Sequence, residues 1–479
     1  MTHQQERPDR HGPRRTKLVC TIGPASARRI PELVDAGMDV ARLNFSHGSA
    51  AGRAAAATAV RRAASQAGRP VAVLADLSGP KIRLGALDGG VVTLLAGARF
   101  ELHGRAGRAR GDRTGAVVTY PRIARDVRPG DAILLADGAV QLRVIATDDV
   151  VTTEVIQGGT VRSRQGVSIP SDRVSTPALT RKDRADVPDA LALGADYIAQ
   201  SFVRSADDVQ GLRTLLGQDG PPIVAKIETR AAIDAFDAIL EVADGVMIAR
   251  GDMGVELPYE EVPIVQKQLV RRALDRGVPS VVATQMLESM IANPRPTRAE
   301  ASDVANAVFD GTDAIMLSGE TAIGAHPLLA AAAAVRVIRL CEVRGAEYLA
   351  AGASAPVAGD AGALAFAAVA LAGADPDIAA IACYTRSGRT AQMLSALRPR
   401  VPIHAFSPDP AVVSRLALVH GIVPRTCVPP TETAGRLGLM AWLLRESHAL
   451  PAGAAVALVA STAAAGTGPN LLEVHRLPA

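Results

Sequence analysis

The stretch KIETRAAIDAFDAILEVADGVMIARGDMGVELP, residues 226–258, gives the clearest indication of the fold. A short β-branched apolar run, 223–227, leads into it, and a second such run follows at 245–249. Between the two, residues 229–242 repeat their apolar side chains at helical spacing. This order predicts a strand, a helix and a second strand, the unit that builds a (β/α)₈ barrel at about 30 residues per repeat.

The same stretch sets one lysine and two carboxylates at the ends of its predicted strands. Lys226 and Glu228 close the first strand, and Asp252 follows the second. Neighbouring strands lie about 4.8 Å apart, so both carboxylates are expected to reach one ion. Oxygen ligands without a nearby His or Cys favour Mg²⁺ or Mn²⁺ over zinc. The competing interpretation is that Glu228 and Asp252 only cap the helices that follow.

Lysine usage favours the functional interpretation of Lys226. Lys and Arg together number 52, yet the only lysines are Lys17, Lys81, Lys182, Lys226 and Lys267. A lysine retained against such a bias suits a role that needs a compact charge with an adjustable pKa. Lys226 and Lys81 are therefore candidates for chemistry, whereas Lys182 and Lys267 are compatible with an ordinary surface position.

Length and composition exclude several classes of function. A chain of 479 residues suffices for two or three cores, and 48% hydrophobic content without an apolar run that could cross a bilayer predicts no membrane insertion. A formal net charge of +4 with few aromatic residues argues against nucleic-acid binding. The polar, basic residues 1–15 are no signal peptide. The four cysteines show no C-x-x-C spacing, and the cytoplasm is the expected compartment.

Eight apolar runs that each end in polar or glycine-rich residues predict a complete barrel. They are 18–23, 40–46, 71–76, 197–202, 223–228, 246–252, 280–284 and 314–320. Short alternating runs with Gly and Asp turns predict an all-β domain inserted after the third run. The last part of the chain alternates strands with helices, the pattern of an α/β domain. The predicted parts are a disordered basic tail at 1–15, a (β/α)₈ barrel catalytic domain at 16–79 and 178–349, an inserted β-barrel lid domain at 80–177, and a C-terminal α/β regulatory domain at 350–479.

Seven motifs in order resemble those of the pyruvate kinase family. They are TKLVCTIGPAS (16–26), ARLNFSHG (41–48), DLSGPKIRLG (76–85), KIET (226–229), MIARGDMGVE (247–256), ATQMLESM (283–290) and LSGETAIGAHP (317–327). The resemblance runs from the end of the tail to the C-terminus. It implies a barrel with a β-domain lid and a C-terminal regulatory domain, and phosphoryl transfer from phosphoenolpyruvate to ADP that gives pyruvate and ATP.

The resemblance also assigns the roles of site residues. It implies that Glu228 and Asp252 bind Mg²⁺ or Mn²⁺, and that the catalytic and substrate-binding residues are Arg42, Lys226, Gly251, Asp252 and Thr284. Ser318 and Glu320 match a water chain that delivers the proton, although the donor itself stays open. The implied nucleotide-binding residues are Arg83, His47 and Gln165. Gln165 is a departure, because the family usually has a phosphate-contacting lysine there; Arg164 stands beside it.

A monovalent-cation site is implied at Asn44, Ser46, Asp76 and Leu77. Relatives that need K⁺ typically carry Glu at the position of Lys81. The ammonium of Lys81 is expected to supply the charge that K⁺ otherwise brings and to repel a second cation, so K⁺ is not expected to be required. The competing interpretation is an ordinary solvated lysine at the hinge of the lid.

The turn TRSGRT in the C-terminal domain predicts an anion site, because it joins a strand to a helix start with hydroxyls, amides and arginines. The resemblance implies that a phosphorylated effector binds there, with residues 461–470 as a partner loop, and that the chain forms a homotetramer. Strand-to-helix turns of this kind also occur without a ligand. The predicted effector residues are Thr385, Arg386, Ser387, Gly388, Arg389 and Thr390.

Two other classes of protein are compatible with parts of the sequence. A different barrel enzyme of phosphoenolpyruvate or pyruvate chemistry would share the metal carboxylates, but it would lack the inserted lid, Arg83 and the C-terminal domain. An inactive homologue that serves as a metabolite-binding regulator would be expected to lose Lys226, Thr284 or a metal carboxylate, and all of these are present.

Overall fold

A closed barrel of eight parallel strands forms the centre of the computed structural model, which describes residues 13–104, 110–136, 138–170, 173–353, 359–428, 433–447, 449–451, 453–461 and 469–477. Each strand pairs with the next one in the barrel, and the last pairs with the first. The predicted barrel is therefore confirmed, and each strand starts within one residue of its predicted start. The strands, labelled in chain order, are β1 (Lys17–Thr21), β2 (Val40–Asn44), β3 (Ala72–Asp76), β12 (Tyr197–Gln200), β13 (Ile223–Ile227), β14 (Gly245–Ala249), β15 (Ser280–Ala283) and β16 (Ala314–Leu317).

Helices surround this barrel. Thr180 and Thr297 begin two of them with capping boxes, in which the threonine and an acidic residue three positions on satisfy each other's backbone amides. The prediction of a single helix over 229–242 is wrong, because the chain leaves helical geometry at Ala235 and forms two short helices instead. The helices are α1 (Ile30–Asp35), α2 (Ala50–Gln66), α4 (Arg181–Ala192), α5 (Ala206–Leu216), α6 (Arg230–Asp234), α7 (Phe236–Leu240), α8 (Arg250–Glu256), α9 (Val262–Asp275), α10 (Arg298–Asp310), α11 (Gly319–Ala322) and α12 (Pro327–Arg344).

The inserted segment between β3 and α4 is built from short strands around its own apolar core. Its described strands form a six-stranded sheet in the order β11-β7-β8-β9-β5-β6 and a two-stranded ladder of β4 and β10. The closure of these strands into a β-barrel stays a prediction. The elements are β4 (Val91–Leu94), β5 (Arg99–His103), β6 (Gly115–Val117), α3 (Ile123–Asp126), β7 (Ala132–Leu135), β8 (Val140–Thr147), β9 (Val151–Gln157), β10 (Gly159–Arg162) and β11 (Val167–Ser168).

The C-terminal part is an α/β layer with a five-stranded sheet in the order β19-β18-β17-β20-β21. Four strands are parallel, as predicted, and β21 adds an antiparallel edge that the sequence analysis missed. The elements are α13 (Asp360–Ala374), β17 (Ile378–Tyr384), α14 (Arg389–Ala396), β18 (Ile403–Ser407), α15 (Pro410–Arg415), β19 (Ile422–Thr426), α16 (Thr433–Glu446), β20 (Ala455–Ala460) and β21 (Leu471–Arg476).

The C-terminal domain closes the amino-terminal end of the barrel. Ala417 and Leu418, from a 3₁₀ turn after α15, are buried in the same cluster as the inward-facing side chains of the barrel strands. Tyr197, the first residue of β12, donates a hydrogen bond to the carbonyl of Arg415 at 2.9 Å. The carboxyl ends of the strands, where the candidate site lies, are at the opposite end of the barrel.

Two residues of the predicted tail, Arg14 and Arg15, contact the barrel, and Arg15 also joins the barrel to the C-terminal domain, because its carbonyl accepts a hydrogen bond from the amide of Gly421 at 2.9 Å. Arg15 was assigned to the tail, yet its backbone amide donates to both carboxylate oxygens of Glu342, at 3.1 and 3.0 Å. Arg14 forms an ion pair with Asp39. Residues 1–12 lie outside the described part of the chain. Within the described part, we find no helix long and apolar enough to cross a membrane.

Candidate active site

Two neighbouring strands bring the predicted lysine and carboxylates together. In the β13–β14 pairing Lys226 lies beside Met247 and Ile227 beside Ile248, so both strands end at the same level. Glu228 follows directly after β13. Helix α8 starts directly after β14 and carries Asp252 in its first turn. The sequence therefore predicted correctly which backbone segments approach each other.

Lys226 is the centre of a buried cluster of charges. Its Nζ lies 2.8 Å from Glu228 Oε1 and 3.4 Å from Asp76 Oδ1, and it donates a hydrogen bond to Ser201 Oγ at 2.6 Å. Burial alone would lower the pKa of Lys226, but the charges of Asp76 and Glu228 outweigh it and raise the pKa above its ordinary value. Lys226 is therefore a permanent cation and is unsuited to act as a base at neutral pH.

Arg42, in the middle of β2, shares Asp76 with the lysine. Its Nε donates to Asp76 Oδ2 at 2.7 Å, and its Nη1 donates to Thr21 Oγ1 at 3.0 Å. Burial would raise the pKa of Asp76, but the charges of Lys226 and Arg42 hold it below its usual range. Asp76 thus stays ionised and keeps two cations side by side at the mouth of the barrel.

Glu228 has the properties of a metal ligand. Its Oε2 accepts a hydrogen bond from the amide of Phe202 at 2.8 Å. Its Oε1 is buried and, among the described residues, receives no hydrogen bond of acceptable geometry, although Lys226 is close. Burial and the negative charge of Asp252 raise the pKa of Glu228, partly offset by Lys226. A hard divalent cation between Glu228 and Asp252 would relieve both effects, so these oxygens fit Mg²⁺ or Mn²⁺. No cluster of three or more metal-ligating side chains occurs in the described ranges, so other oxygens would complete the shell.

Asp252 is more open than Glu228, and its partner is Lys81. The Nζ of Lys81 lies 3.0 Å from Asp252 Oδ1, and both side chains are about one-third exposed, at 33% and 30%. Lys81 lies near the start of the inserted segment, so this ion pair links that segment to the candidate metal site.

Three of the four expected monovalent-cation positions, Asn44, Asp76 and Leu77, have their ligand oxygens engaged within the protein. Asn44 Oδ1 accepts from the amide of Ser46 at 2.9 Å, and the carbonyl of Leu77 accepts from the hydroxyl of Ser201 at 2.7 Å. Asp76 bridges Arg42 and Lys226. The expected cation position is therefore surrounded by hydrogen bonds within the protein and by cationic side chains.

Lys182 contributes a further ammonium to this side of the site. Its Nζ donates to the carbonyl of Phe45 at 2.8 Å and to Ser78 Oγ at 3.3 Å, and it pairs with Asp186. The sequence analysis regarded Lys182 as compatible with an ordinary surface position, but it bridges the segment after β2 and the hinge of the lid. Lysine is rare among the basic residues of this chain, and this rarity was a signal that could have identified Lys182 as a site residue.

Thr284 and Gly251 face each other at the ends of β15 and β14. The amide of Gly251 donates to Thr284 Oγ1 at 2.7 Å, and that hydroxyl donates to the carbonyl of Ala283 at 2.6 Å. Thr284 has a φ of 70° and Gln285 a φ of 55°, an uncommon conformation for side-chain-bearing residues. The guanidinium of Arg250 holds this segment by donating to the carbonyl of Thr284 at 2.9 Å.

Two of the predicted nucleotide residues, Arg83 and Gln165, lie where the two ends of the inserted segment meet, and His47 lies in the barrel segment after β2. Arg83 Nη1 donates to the carbonyl of Arg164 at 3.1 Å. Gln165 turns back on its own segment, because its Oε1 accepts from the amide of Arg162 at 2.6 Å. The pKa of His47 is lowered by burial and by the positive charges of Arg83, Arg42 and Lys81. His47 therefore faces a cationic field that suits phosphate oxygens.

Ser318 and Glu320 lie beyond β16. Glu320 is fully buried, and its carboxylate accepts from the amides of Leu287 at 3.0 Å and Ser318 at 2.7 Å. Ser318 Oγ is buried without a hydrogen-bond partner among the described residues. A hydroxyl in this state is suited to hold a water molecule.

The TRSGRT turn lies between β17 and α14, as predicted. Thr385 is buried and its Oγ1 accepts from the amide of Gly388 at 2.9 Å, which braces the turn. Gly388 has a φ of 89°, and Arg386, Ser387 and Arg389 are exposed around it. Most of the expected partner loop, residues 462–468, lies outside the described residues.

Comparison with protein-family models gives two matches that follow one another along the chain. Residues 13–331 match the model of the pyruvate kinase barrel domain, and residues 362–475 match that of the pyruvate kinase alpha/beta domain.

Individual relatives agree with these matches. A pyruvate kinase of Mycobacterium tuberculosis is 43% identical over 475 residues, which cover 97% of this chain and 98% of the relative. One of Geobacillus stearothermophilus is 42% identical over 476 residues, covering 96% and 80%. The crystal structure of a pyruvate kinase from Cryptosporidium parvum superimposes with a TM-score of 0.87 at 33% identity, over 97% of this chain and 96% of that one. The chain therefore belongs to the pyruvate kinase family.

Proposed function

We propose that this chain transfers the phosphoryl group of phosphoenolpyruvate to ADP in the presence of Mg²⁺, giving pyruvate and ATP. The observation that carries this proposal is the contact of Lys226 Nζ with Glu228 Oε1 at 2.8 Å, which joins a permanent cation to a candidate metal ligand. Phosphoryl transfer passes through a loose transition state, so positioned positive charge is what the reaction requires from the protein.

Each charged group has a distinct part in this proposal. Glu228 and Asp252 would hold the divalent ion, which would supply positive charge to neutralise the substrate. Lys226 directs its ammonium at the migrating group, and Arg42, on strand β2, binds the phosphoryl oxygens. Asp76 keeps these two cations in place, since it contacts both.

The substrate carboxylate is proposed to bind the amides of Gly251 and Asp252 at the start of α8, because the first amides of a helix lack intrahelical partners. The hydroxyl of Thr284 receives the Gly251 amide in this structure. Binding therefore requires the Thr284 side chain to give up this contact and to present its hydroxyl to the substrate. Ser318 and Glu320 are proposed to hold the water chain that leads to the enolate.

ADP is proposed to enter between the lid and the barrel, where Arg83, His47 and Arg164 meet. Gln165 has its side-chain oxygen committed to the lid backbone, so Arg83 supplies the main cationic contact to the phosphates. The Lys81–Asp252 ion pair has to open when the lid takes up nucleotide and metal. We further propose that the enzyme works in the cytoplasm.

The enzyme is proposed to work without K⁺. Lys81 places a positive charge 3.0 Å from a carboxylate of the metal pair, and Lys182 adds a second ammonium next to the expected cation position. The repulsion between an ammonium and a monovalent cation in this partly buried region disfavours recruitment of K⁺.

A phosphorylated metabolite is proposed to activate the enzyme at the TRSGRT turn, within a homotetramer. The exposed Arg386 and Arg389 beside the amides of the turn support an anion site. An activator should lower the apparent KM for phosphoenolpyruvate, and replacing both arginines with alanine should abolish this response at a near-normal maximal rate. A panel of sugar phosphates and AMP that changes nothing in the unmodified enzyme would contradict the proposal.

The reaction itself is tested by a coupled assay with phosphoenolpyruvate, ADP and Mg²⁺. We expect pyruvate and ATP to form in equal amounts, and no activity when the divalent ion is removed by chelation. The metal ligands are tested separately with Asp252→Ala, which should weaken Mn²⁺ binding measured by proton relaxation enhancement. An unchanged Mn²⁺ titration would refute the assignment of Asp252.

A further inference from the structure

Ser201 contacts the candidate catalytic lysine with a neutral side chain. It follows directly after β12 and is 2% exposed. Its hydroxyl accepts a hydrogen bond from Lys226 Nζ at 2.6 Å and donates to the carbonyl of Leu77 at 2.7 Å; Asp76 Oδ1, at 3.4 Å, is a more distant second acceptor. The hydroxyl therefore links the lysine to the backbone at the hinge of the lid.

The two carboxylates beside Lys226 have a different effect from the serine. Asp76 and Glu228 attract the ammonium with their negative charges, and both also contact other groups, Arg42 and the amide of Phe202. The serine adds no charge, and its second hydrogen bond ends on a backbone carbonyl. It can therefore fix the position of the ammonium while leaving its charge available for the transition state.

The backbone around Ser201 is adapted to this task. The next residue, Phe202, has a φ of 55°, which is rare for an aromatic residue, and its amide donates to Glu228 Oε2 at 2.8 Å. On the other side, a Cβ added to Gly79 would lie 2.9 Å from Ser201 Cβ and 2.7 Å from Phe202 Cδ2. Residues 201–202 thus pack against the hinge and contact both Lys226 and Glu228.

We propose that Ser201 is a positioning residue, which aligns the ammonium of Lys226 for phosphoryl transfer and ties this alignment to the lid hinge at Leu77. This inference rests on the proposed function. In this proposal the serine does not contact the substrate. Asp76 and Glu228 set the charge of Lys226, and Ser201 sets the direction in which its ammonium points.

The test compares Ser201→Ala with Ser280→Ala. Ser280 is also a buried serine of the barrel, 1% exposed, but it lies at the start of β15, and its hydroxyl shares a hydrogen bond with the hydroxyl of Thr312 at 3.3 Å instead of contacting a catalytic residue. Ser201→Ala should lower kcat roughly 10- to 100-fold, the loss expected for one hydrogen bond to a charged group, with the KM for phosphoenolpyruvate within about threefold. Ser280→Ala should keep kcat.

A second measurement separates positioning from general damage. Exchange of the methyl protons of pyruvate with D₂O, followed by NMR, forms the enolate without transferring a phosphoryl group. Ser201→Ala should retain this exchange within about threefold of the unmodified enzyme. An equal loss of exchange and of phosphoryl transfer, or a kcat within about threefold of normal, would overturn the proposal. Absence of both activities in the unmodified enzyme would instead refute the proposed function.

Discussion

At the scale of single residues, the candidate site is a balance of charges in which each cation has a partner. Lys226 and Arg42 share Asp76, and Lys81 pairs with Asp252. Binding of a metal ion would compete with Lys81 for Asp252, because both need the same carboxylate. We propose that the charge of Lys81 sets the monovalent-cation requirement, and this charge can be reversed by substitution.

Reversal of that charge should create a dependence on K⁺. Lys81→Glu removes the ammonium and adds a carboxylate close to Asp252, and the local negative charge then favours a monovalent cation. We expect full activity of the unmodified enzyme in tetramethylammonium buffer without Na⁺ or K⁺, and at least tenfold stimulation of Lys81→Glu by K⁺ at constant ionic strength.

Lys267→Glu provides a control with the same change of charge, because Lys267 lies on the surface of α9 and pairs with Asp310. It should leave the response to K⁺ unchanged. If the unmodified enzyme itself is stimulated tenfold or more by K⁺, the role given to Lys81 is wrong, and Asn44, Ser46, Asp76 and Leu77 form a true potassium site.

At the scale of elements, the C-terminal sheet carries a histidine that has to stay neutral. His404 on β18 is buried, and its Nδ1 accepts a hydrogen bond from Arg425 Nε at 3.0 Å. Burial, and then the charge of Arg425, lower its pKa to about 3. The unfolded chain binds a proton near pH 6.5 and the folded one does not, so stability is lost as pH falls from about 6.5 towards 3.

This histidine predicts a measurable acid sensitivity. The free energy of unfolding of the C-terminal domain should fall by about 2 kcal/mol per such group between pH 7 and pH 5. Trp442 on α16 is the only tryptophan and reports the transition by fluorescence. His404→Asn should flatten this slope, whereas His475→Asn on the edge strand β21 should not. A slope that is the same in both variants would contradict the assignment.

The secondary-structure elements also show how much of the fold and of the candidate site could be predicted from the sequence. The barrel strands were predictable because buried parallel strands are continuous apolar runs, and the catalytic groups were predictable because they follow such runs. Strand β21 was missed because Glu473 and Val474 are exposed on it, so that no apolar run marks this edge. The contact of Ser201 with Lys226 joins two strands 25 residues apart, and sequence spacing alone does not show which side chains meet there.

At the scale of the whole molecule, the barrel is closed at its amino-terminal end by the C-terminal domain. Leu418 is 1% exposed within the barrel's inner cluster. The TRSGRT turn lies above the same segment, since a Cβ added to Gly388 would be 3.4 Å from Leu416 Cδ2. The candidate effector turn and the barrel interior are thus connected through three consecutive residues, Leu416–Leu418.

Truncation of this contact should destabilise both domains. Leu418→Ala leaves a cavity at the end of the barrel and should lower the free energy of unfolding by about 2–5 kcal/mol, measured by denaturant titration. Leu340→Ala is the control, because Leu340 on α12 is 56% exposed and should change stability by less than about 0.5 kcal/mol. Equal effects of the two substitutions would show that the contact does not hold the domains together.

The steady-state kinetics of Lys226→Ala, compared with Lys267→Ala as a surface control, test most directly whether Lys226 acts in phosphoryl transfer. Loss of a charge directed at the transition state should lower kcat by roughly 10²- to 10³-fold, while the KM for phosphoenolpyruvate stays within about threefold. Lys267→Ala should behave as the unmodified enzyme does. A Lys226→Ala variant that keeps kcat within about threefold and only raises KM would contradict the central claim that this ammonium acts on the migrating phosphoryl group.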